Sequence, residues 1–416
     1  MSLTSHFYHF DHPDWKLKLL TWASSNFPYL ALTEGNGYAY PEGSFGDFLF
    51  LGEKEIPKNQ ILDSGIFKVG IFGYDFKNQI EQLESTNPDF FELPDTCFFE
   101  PTWKWKLDKN GFHSGTSLPA EWISAILKTE IPENPPVSCQ ITPQVTKEEY
   151  IQHIQKIQQE ILEGSTYEAN FCQAYSGTYQ VWDPIAAYSQ LMKLSPMPFS
   201  ALFKADSKWL VSASPERFLK KTGNRLIAQP IKGTIRRGEN PIQDDANRSK
   251  LLSSEKERAE NLMITDLMRN DLARVSQTGS VQVEELFGIY PLPRVFQMIS
   301  TVSSQLRPES DLIKIIEATF PMGSMTGAPK ISTMKIIDRE ESFRRGWFSG
   351  AFGWVDEAGD FDFSVIIRSI ITDLKAKKLY FGVGSAITID ASADQEFEEC
   401  ALKAQAILEL LRGTKI

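Results

Sequence analysis

Cysteine, basic excess, internal repeats and long apolar runs are what this chain has least of. Four cysteines stand among 416 residues, Cys97, Cys139, Cys172 and Cys400, far from one another. That scatter excludes a clustered zinc or iron–sulfur site and fits reduced thiols in the cytoplasm. Acidic residues outnumber basic ones, for a net charge of −11 and a pI near 5.2. This argues against nucleic acid as a partner. No apolar run is long enough for a membrane span, and no signal peptide is legible. No internal repeat is visible either.

What is present is ample core material: 42% of residues are hydrophobic. The length allows two or three modest domains or one large layered one. Residues 1–135 read as a β-rich, aromatic N-terminal segment contributing to the sheet core, with strand-like runs such as 67–72 broken by Gly, Pro and Asp. Segment 131–136, with its prolines, is the best linker. Residues 140–416 hold the recognisable chemistry. Thr146 and Glu149 form a capping box for a helix striped by Tyr150, Ile154, Ile157 and Ile161. A strand follows at 167–171, then strands near 199–204, 208–213, 216–220 and 225–231. The hairpin spacing argues for antiparallel pairing. Helices are expected at 255–272, 311–319, 330–339 and 393–412, with strands near 349–356, 362–371 and 378–387. The fold class is α+β, antiparallel sheets with helices outside.

Lys232 stands in Pro230-Ile231-Lys232-Gly233-Thr234, between an apolar strand and a Gly-Thr turn. If Thr222-Gly223-Asn224 is a three-residue hairpin loop, Glu216 pairs near Pro230. Lys232 is then its diagonal neighbour, roughly 7–8 Å away on the same face. The two could bracket a small substrate, or form a surface ion pair.

Carboxylates occupy apolar slots on two helices. Glu260, Met263, Ile264 and Leu267 share one stripe, with Glu257 a turn earlier. Glu257 has a second reading, as partner of Ser254 in a capping box. Glu396, Glu399 and Lys403 share a face of the last helix. Two carboxylates about 4 Å apart repel by about 4 kcal/mol at an effective dielectric of about 20. A cation between the helices would remove that cost, and all-oxygen donors favour Mg²⁺ over zinc or copper. Separate ion pairs with Lys256, Arg258 or Lys403 are the alternative. The Gly323–Lys330 loop, with Pro329 opening a helix, is either an anion-binding turn or simply a tight one. Its spacing is wrong for a P-loop. Arg368, in an apolar strand, wants a planar anion: a substrate carboxylate or an internal Asp.

These blocks together resemble aminodeoxychorismate synthase component I, a family of chorismate-utilising enzymes. The resemblance rests on Pro230–Thr234, Ser214–Phe218, Glu257–Asn261 with the helix to Asp271, Gly323–Lys330 and Glu396–Glu399, in the family's order. It implies two large antiparallel sheets with helices outside. Lys232 would be the nucleophile at ring carbon 2, and Glu216 the general acid and base for the ring-carbon-4 hydroxyl and the amine. Gly233, Thr234, Thr326, Gly327, Arg368, Gly384 and Lys403 would contact substrate, and Glu257, Glu260, Glu396 and Glu399 would hold Mg²⁺. Nucleophilic lysine is expected to have its pKa lowered by burial and the metal.

Single positions separate the members. Anthranilate synthases carry Ala where this chain has Lys232. Isochorismate and salicylate synthases carry a water-activating Lys whose place is read here as Ala169. The histidine that anthranilate synthases use in pyruvate elimination is read as Gln297, and their Tyr facing the enolpyruvyl group is Phe348. The expected reaction is therefore amination of chorismate with ammonia from a separate glutamine amidotransferase subunit, no amidotransferase being fused here. Anthranilate synthase, isochorismate or salicylate synthase, and a non-enzymatic carboxylate sensor are the alternatives.

Overall fold

The computed structural model describes residues 6–131 and 138–412. Most of the linker read at 131–136 therefore lies outside the described residues.

Two antiparallel sheets face each other. Among the described residues one has twelve strands and the other nine. The larger runs from His6–His9 through Tyr29–Glu34, Phe199–Ala205, Lys208–Ser214 and Lys378–Ile387 to Glu168–Val181. The smaller carries Ile231–Arg236, Val295–Gln305, Arg225–Ala228, Arg217–Thr222, Phe361–Val365, Ala351–Val355, Lys68–Phe72 and Thr96–Phe99. Strands before residue 131 thus join both sheets.

Side-chain alternation explains the layering. Along Phe199–Ala205, Phe199, Ala201 and Phe203 face the second sheet, where the Phe99, Trp347 and Phe352 rings meet Phe203. Leu202 faces the other way with Leu30, Leu32 and Val211, into a layer shared with the helices Trp15–Asn26, Lys147–Leu162 and Ala393–Arg412. A strand buried on both faces has no polar alternation, which is why these runs read as continuously apolar.

The helices at Lys147–Leu162, Glu255–Ala273, Leu312–Thr319, Lys330–Glu340 and Ala393–Arg412 lie where periodicity places them. Thr146 and Glu149 close their capping box in both directions. Helices Trp15–Asn26, Ala120–Lys128, Pro184–Leu194 and Pro241–Ser253, and the long hairpin Gln282–Pro291 with Val295–Gln305, are additional to those expected, although Asp183 and Asn240 cap helices that open on proline.

Two local readings change. The loop after Thr222 has two residues: Thr222 pairs with Arg225. The strand then ends at Ala228, and Ile231–Arg236 crosses to pair with Val295–Gln305, so no hairpin diagonal links Glu216 to Lys232. The strand expected at 362–371 is two strands, Phe361–Val365 in one sheet and Ser369–Asp373 in the other. Arg368 makes the corner with φ of 50°.

Candidate active site

Between the two sheets and the helices Glu255–Ala273 and Ala393–Arg412 opens a cavity of about 790 Å³. Its wall includes Glu216, Lys232, Gly233, Thr234, Arg368, Gly384, Lys403, Glu257, Glu260, Glu396 and Glu399, along with Asn170, Lys256, Gln297, Ser324 and Phe348. Thr326 and Gly327 are not brought to it. The Thr326 hydroxyl donates to the carbonyls of Met322 and Gly323, and Gly327 pairs with Ala169. Both serve the turn that presents Ser324 and Met325 to the cavity.

A register shift between Ile231 and Thr234 puts Lys232 and Gly233 in a bulge. Gly233 has φ of 96°, a conformation open to glycine, and a Cβ there would meet the Glu257 side chain at 3.1 Å. The bulge turns Lys232 toward the strand Glu168–Val181, where its ammonium donates to Glu168 Oε1 at 2.8 Å. Burial disfavours the charge, but the carboxylates of Glu168 and Glu260 outweigh it and hold the lysine above its ordinary range. Desolvation by itself acts in the expected direction, and the buried acidic partner offsets it.

Glu168 was missed. It is 1% exposed and shares a strand face with Asn170. Ala169 and Phe171 point the other way, into the helix-covered core. Neither Glu168 nor Ala169 supplies an amine to activate water. Two polar residues at i and i+2 in an apolar strand were the available signal.

Glu216 is buried just before the strand Arg217–Thr222. Burial raises its carboxyl to about 7, against the pull of the Ser324 hydroxyl and the Lys232 charge. Arg368 has no hydrogen bond or ion pair through its guanidinium among the described residues, and burial lowers its pKa. No internal Asp meets it. Gly384 lets the wall lie close: a Cβ would strike Cys172 Sγ at 2.4 Å. Lys403 donates to the Gly384 carbonyl at 2.8 Å. Gln297 is 2% exposed, and its side-chain oxygen has no partner.

The acidic residues face one another across the two helices. Ser254 caps the first of them by accepting from the Glu257 backbone N–H. The Glu257 carboxylate lines the cavity, where burial and Glu399 raise its pKa. Glu260 is raised to about 7, chiefly by burial, with Glu168 and Glu257 adding repulsion. Lys256 reaches Glu396 at 3.2 Å and Glu260 at 3.8 Å. Lys403 holds Glu399 at 2.7 Å and, against burial, keeps its pKa below the usual range. Among the described residues no acidic, His or Cys trio converges closely enough to hold an ion as it stands. The donor set nevertheless fits a hard cation: four carboxylates, two of them with pKa raised by burial and mutual repulsion, which a cation would relieve.

A buried lysine, a high-pKa glutamate, an unpaired arginine and a carboxylate-rich wall define a site for a small anionic substrate. Residues 50–409 match the family described as chorismate binding enzyme, and the chain belongs to it. It is 34% identical over 357 residues to aminodeoxychorismate synthase component 1 of Klebsiella aerogenes, covering 83% of this chain and 77% of that one. Two solved structures share the fold. Anthranilate synthase component I from Streptococcus pneumoniae has a TM-score of 0.73 at 23% identity, covering 97% of this chain and 92% of that one. The menaquinone-specific isochorismate synthase from Escherichia coli has a TM-score of 0.75 at 17% identity, covering 98% and 94%.

Proposed function

We propose that this chain aminates chorismate at ring carbon 4, forming 4-amino-4-deoxychorismate on the route to para-aminobenzoate and folate. The observation that carries the reading is one cavity wall bearing Lys232 and Glu216 with the unpaired guanidinium of Arg368 beside them. Arg368 takes a substrate carboxylate, replacing water with a planar charge-assisted contact. Glu216, protonated near neutrality, gives its proton to the departing hydroxyl oxygen. Lys232 attaches at ring carbon 2 and is then displaced by ammonia. Phe348 and Gln297 supply no acid or base for elimination, so the enolpyruvyl ether is retained. A carboxylate sensor would need neither Lys232 nor Glu216.

Glu257, Glu260, Glu396 and Glu399 would hold Mg²⁺, which when bound supplies positive charge for a substrate carboxylate. Ammonia would come from a separate glutamine amidotransferase subunit.

The test is to mix the chain with chorismate, Mg²⁺ and ammonium and identify the product by mass. An amino compound that keeps its enolpyruvyl group, with little pyruvate, is expected. Anthranilate with stoichiometric pyruvate would make the chain an anthranilate synthase. In the absence of ammonia, chorismate should leave an adduct on the peptide containing Lys232.

A further inference from the structure

Lys232 is held as an ammonium, and an ammonium has no electron pair with which to attack carbon. The nucleophile needs a base. Five carboxylates face it: Glu168 from the strand Glu168–Val181, Glu216 from the chain before Arg217, Glu257 and Glu260 from one helix, and Glu399 from another. Among the described residues Glu168 alone hydrogen-bonds its Nζ, at 2.8 Å. Neither Glu216 nor Glu260 hydrogen-bonds Nζ among the described residues, and Glu216 is given to the departing hydroxyl. Glu399 is engaged by Lys403.

Glu168 differs from these in position as well. It stands behind Lys232 and is not part of the cavity wall. Its second oxygen, Oε2, is buried with no partner among the described residues. A carboxylate spent on structure is ordinarily satisfied through both oxygens. Among the described residues its one side-chain partner is the reacting nitrogen.

We propose that Glu168 is the base that takes a proton from Lys232, which rests on the amination reading above. The Nζ–H proton passes to Glu168 Oε1, leaving a neutral amine and a neutral carboxylic acid. The amine electron pair forms the bond to ring carbon 2, and the two ring double bonds each shift one place. The bond from ring carbon 4 to oxygen breaks with its electron pair, and the oxygen leaves as water with the Glu216 proton. Net charge is unchanged: Lys232 becomes a secondary ammonium and Glu216 a carboxylate. Burial assists the first transfer, because a buried ion pair pays desolvation for two charges that the neutral pair does not. Substrate filling the cavity removes the remaining water and shifts the pair further toward neutrality.

The experiment compares wild type, Glu168→Gln, Glu168→Asp and Lys232→Ala for turnover with ammonium and for adduct formation without it, from neutral to alkaline pH. Glu168→Gln keeps the shape and cannot take the proton. Its kcat at neutral pH should fall about a hundredfold or more, with KM for chorismate held. The loss should shrink as pH rises, because the lysine no longer has its anion and gives its proton to solvent. Glu168→Asp, a base set further back, should show an intermediate rate and the wild-type pH profile. Wild-type kcat and pH dependence in Glu168→Gln would overturn the proposal. So would equal losses with the same pH profile in Gln and Asp, since Glu168 would then only hold the bulge in place. Failure of the wild type to release an aminated product would sink the amination reading instead, and an active Lys232→Ala would sink the nucleophile.

Discussion

Glu216 carries a pH prediction with two readouts. Burial raises it from 4.5 to about 7. If Glu216 gives its proton to the departing hydroxyl, kcat/KM for chorismate should fall about tenfold per unit above pH 7. Stability follows the same group. Between the two pKa values the folded state binds a proton that the unfolded chain has released, so stability falls as pH rises through that window. Glu216→Gln should flatten this decline in urea midpoints while abolishing most turnover. Arg368 makes the complementary case. It has no partner among the described residues to lose, so Arg368→Leu should keep or gain stability. Losing a charge-assisted contact to substrate should raise KM for chorismate by roughly ten- to a hundredfold. A destabilised Arg368→Leu would mean that the arginine serves the fold.

At the scale of elements, a buried ion pair braces the site. Arg345 donates to both carboxylate oxygens of Glu341, at 2.9 and 2.6 Å. It also donates to the carbonyls of Met325 and Asn170, and Glu341 accepts from the Cys172 backbone N–H. One pair thus ties the end of the helix Lys330–Glu340 to the glycine-rich loop and to the strand bearing Glu168. Arg345→Met leaves Glu341 buried and unpaired and should cost about 3–5 kcal/mol in urea unfolding. Adding Glu341→Leu should recover part of that. The two acidic helices give a contrasting result. Glu260→Ala and Glu399→Ala each relieve crowding among carboxylates, so both should stay folded. If these residues hold Mg²⁺, both should lose Mg²⁺-dependent turnover. Unchanged metal dependence in both variants would remove the assignment.

For the whole molecule, the question is where the nitrogen comes from. Burial pushes the thiols of Cys97, Cys172 and Cys400 up, the opposite of what a glutaminase nucleophile requires. The isolated chain should therefore use ammonium and fail with glutamine. Glutamine-driven turnover without a second protein would contradict this. No helix of the described residues is long and apolar enough to cross a membrane.

Read by itself, the sequence determined the helices with strong periodicity or caps, the antiparallel class, and the carboxylates on Glu255–Ala273 and Ala393–Arg412. Each of those signals is local, carried by residues within a few turns of one another. It also singled out Lys232 and Glu216, but by extending to Lys232 a hairpin that stops at Ala228. They meet because the chain after Ala228 leaves its neighbour strand, and a bulge in Ile231–Arg236 turns Lys232 inward. Only the tertiary structure decided that Arg368 sits at a corner between sheets with no partner of its own. Lys232's charge was likewise settled by Glu168, 64 residues away in the chain. Local sequence reads burial, which lowers a lysine pKa. The sign here depends on which anion long-range strand pairing buries beside it.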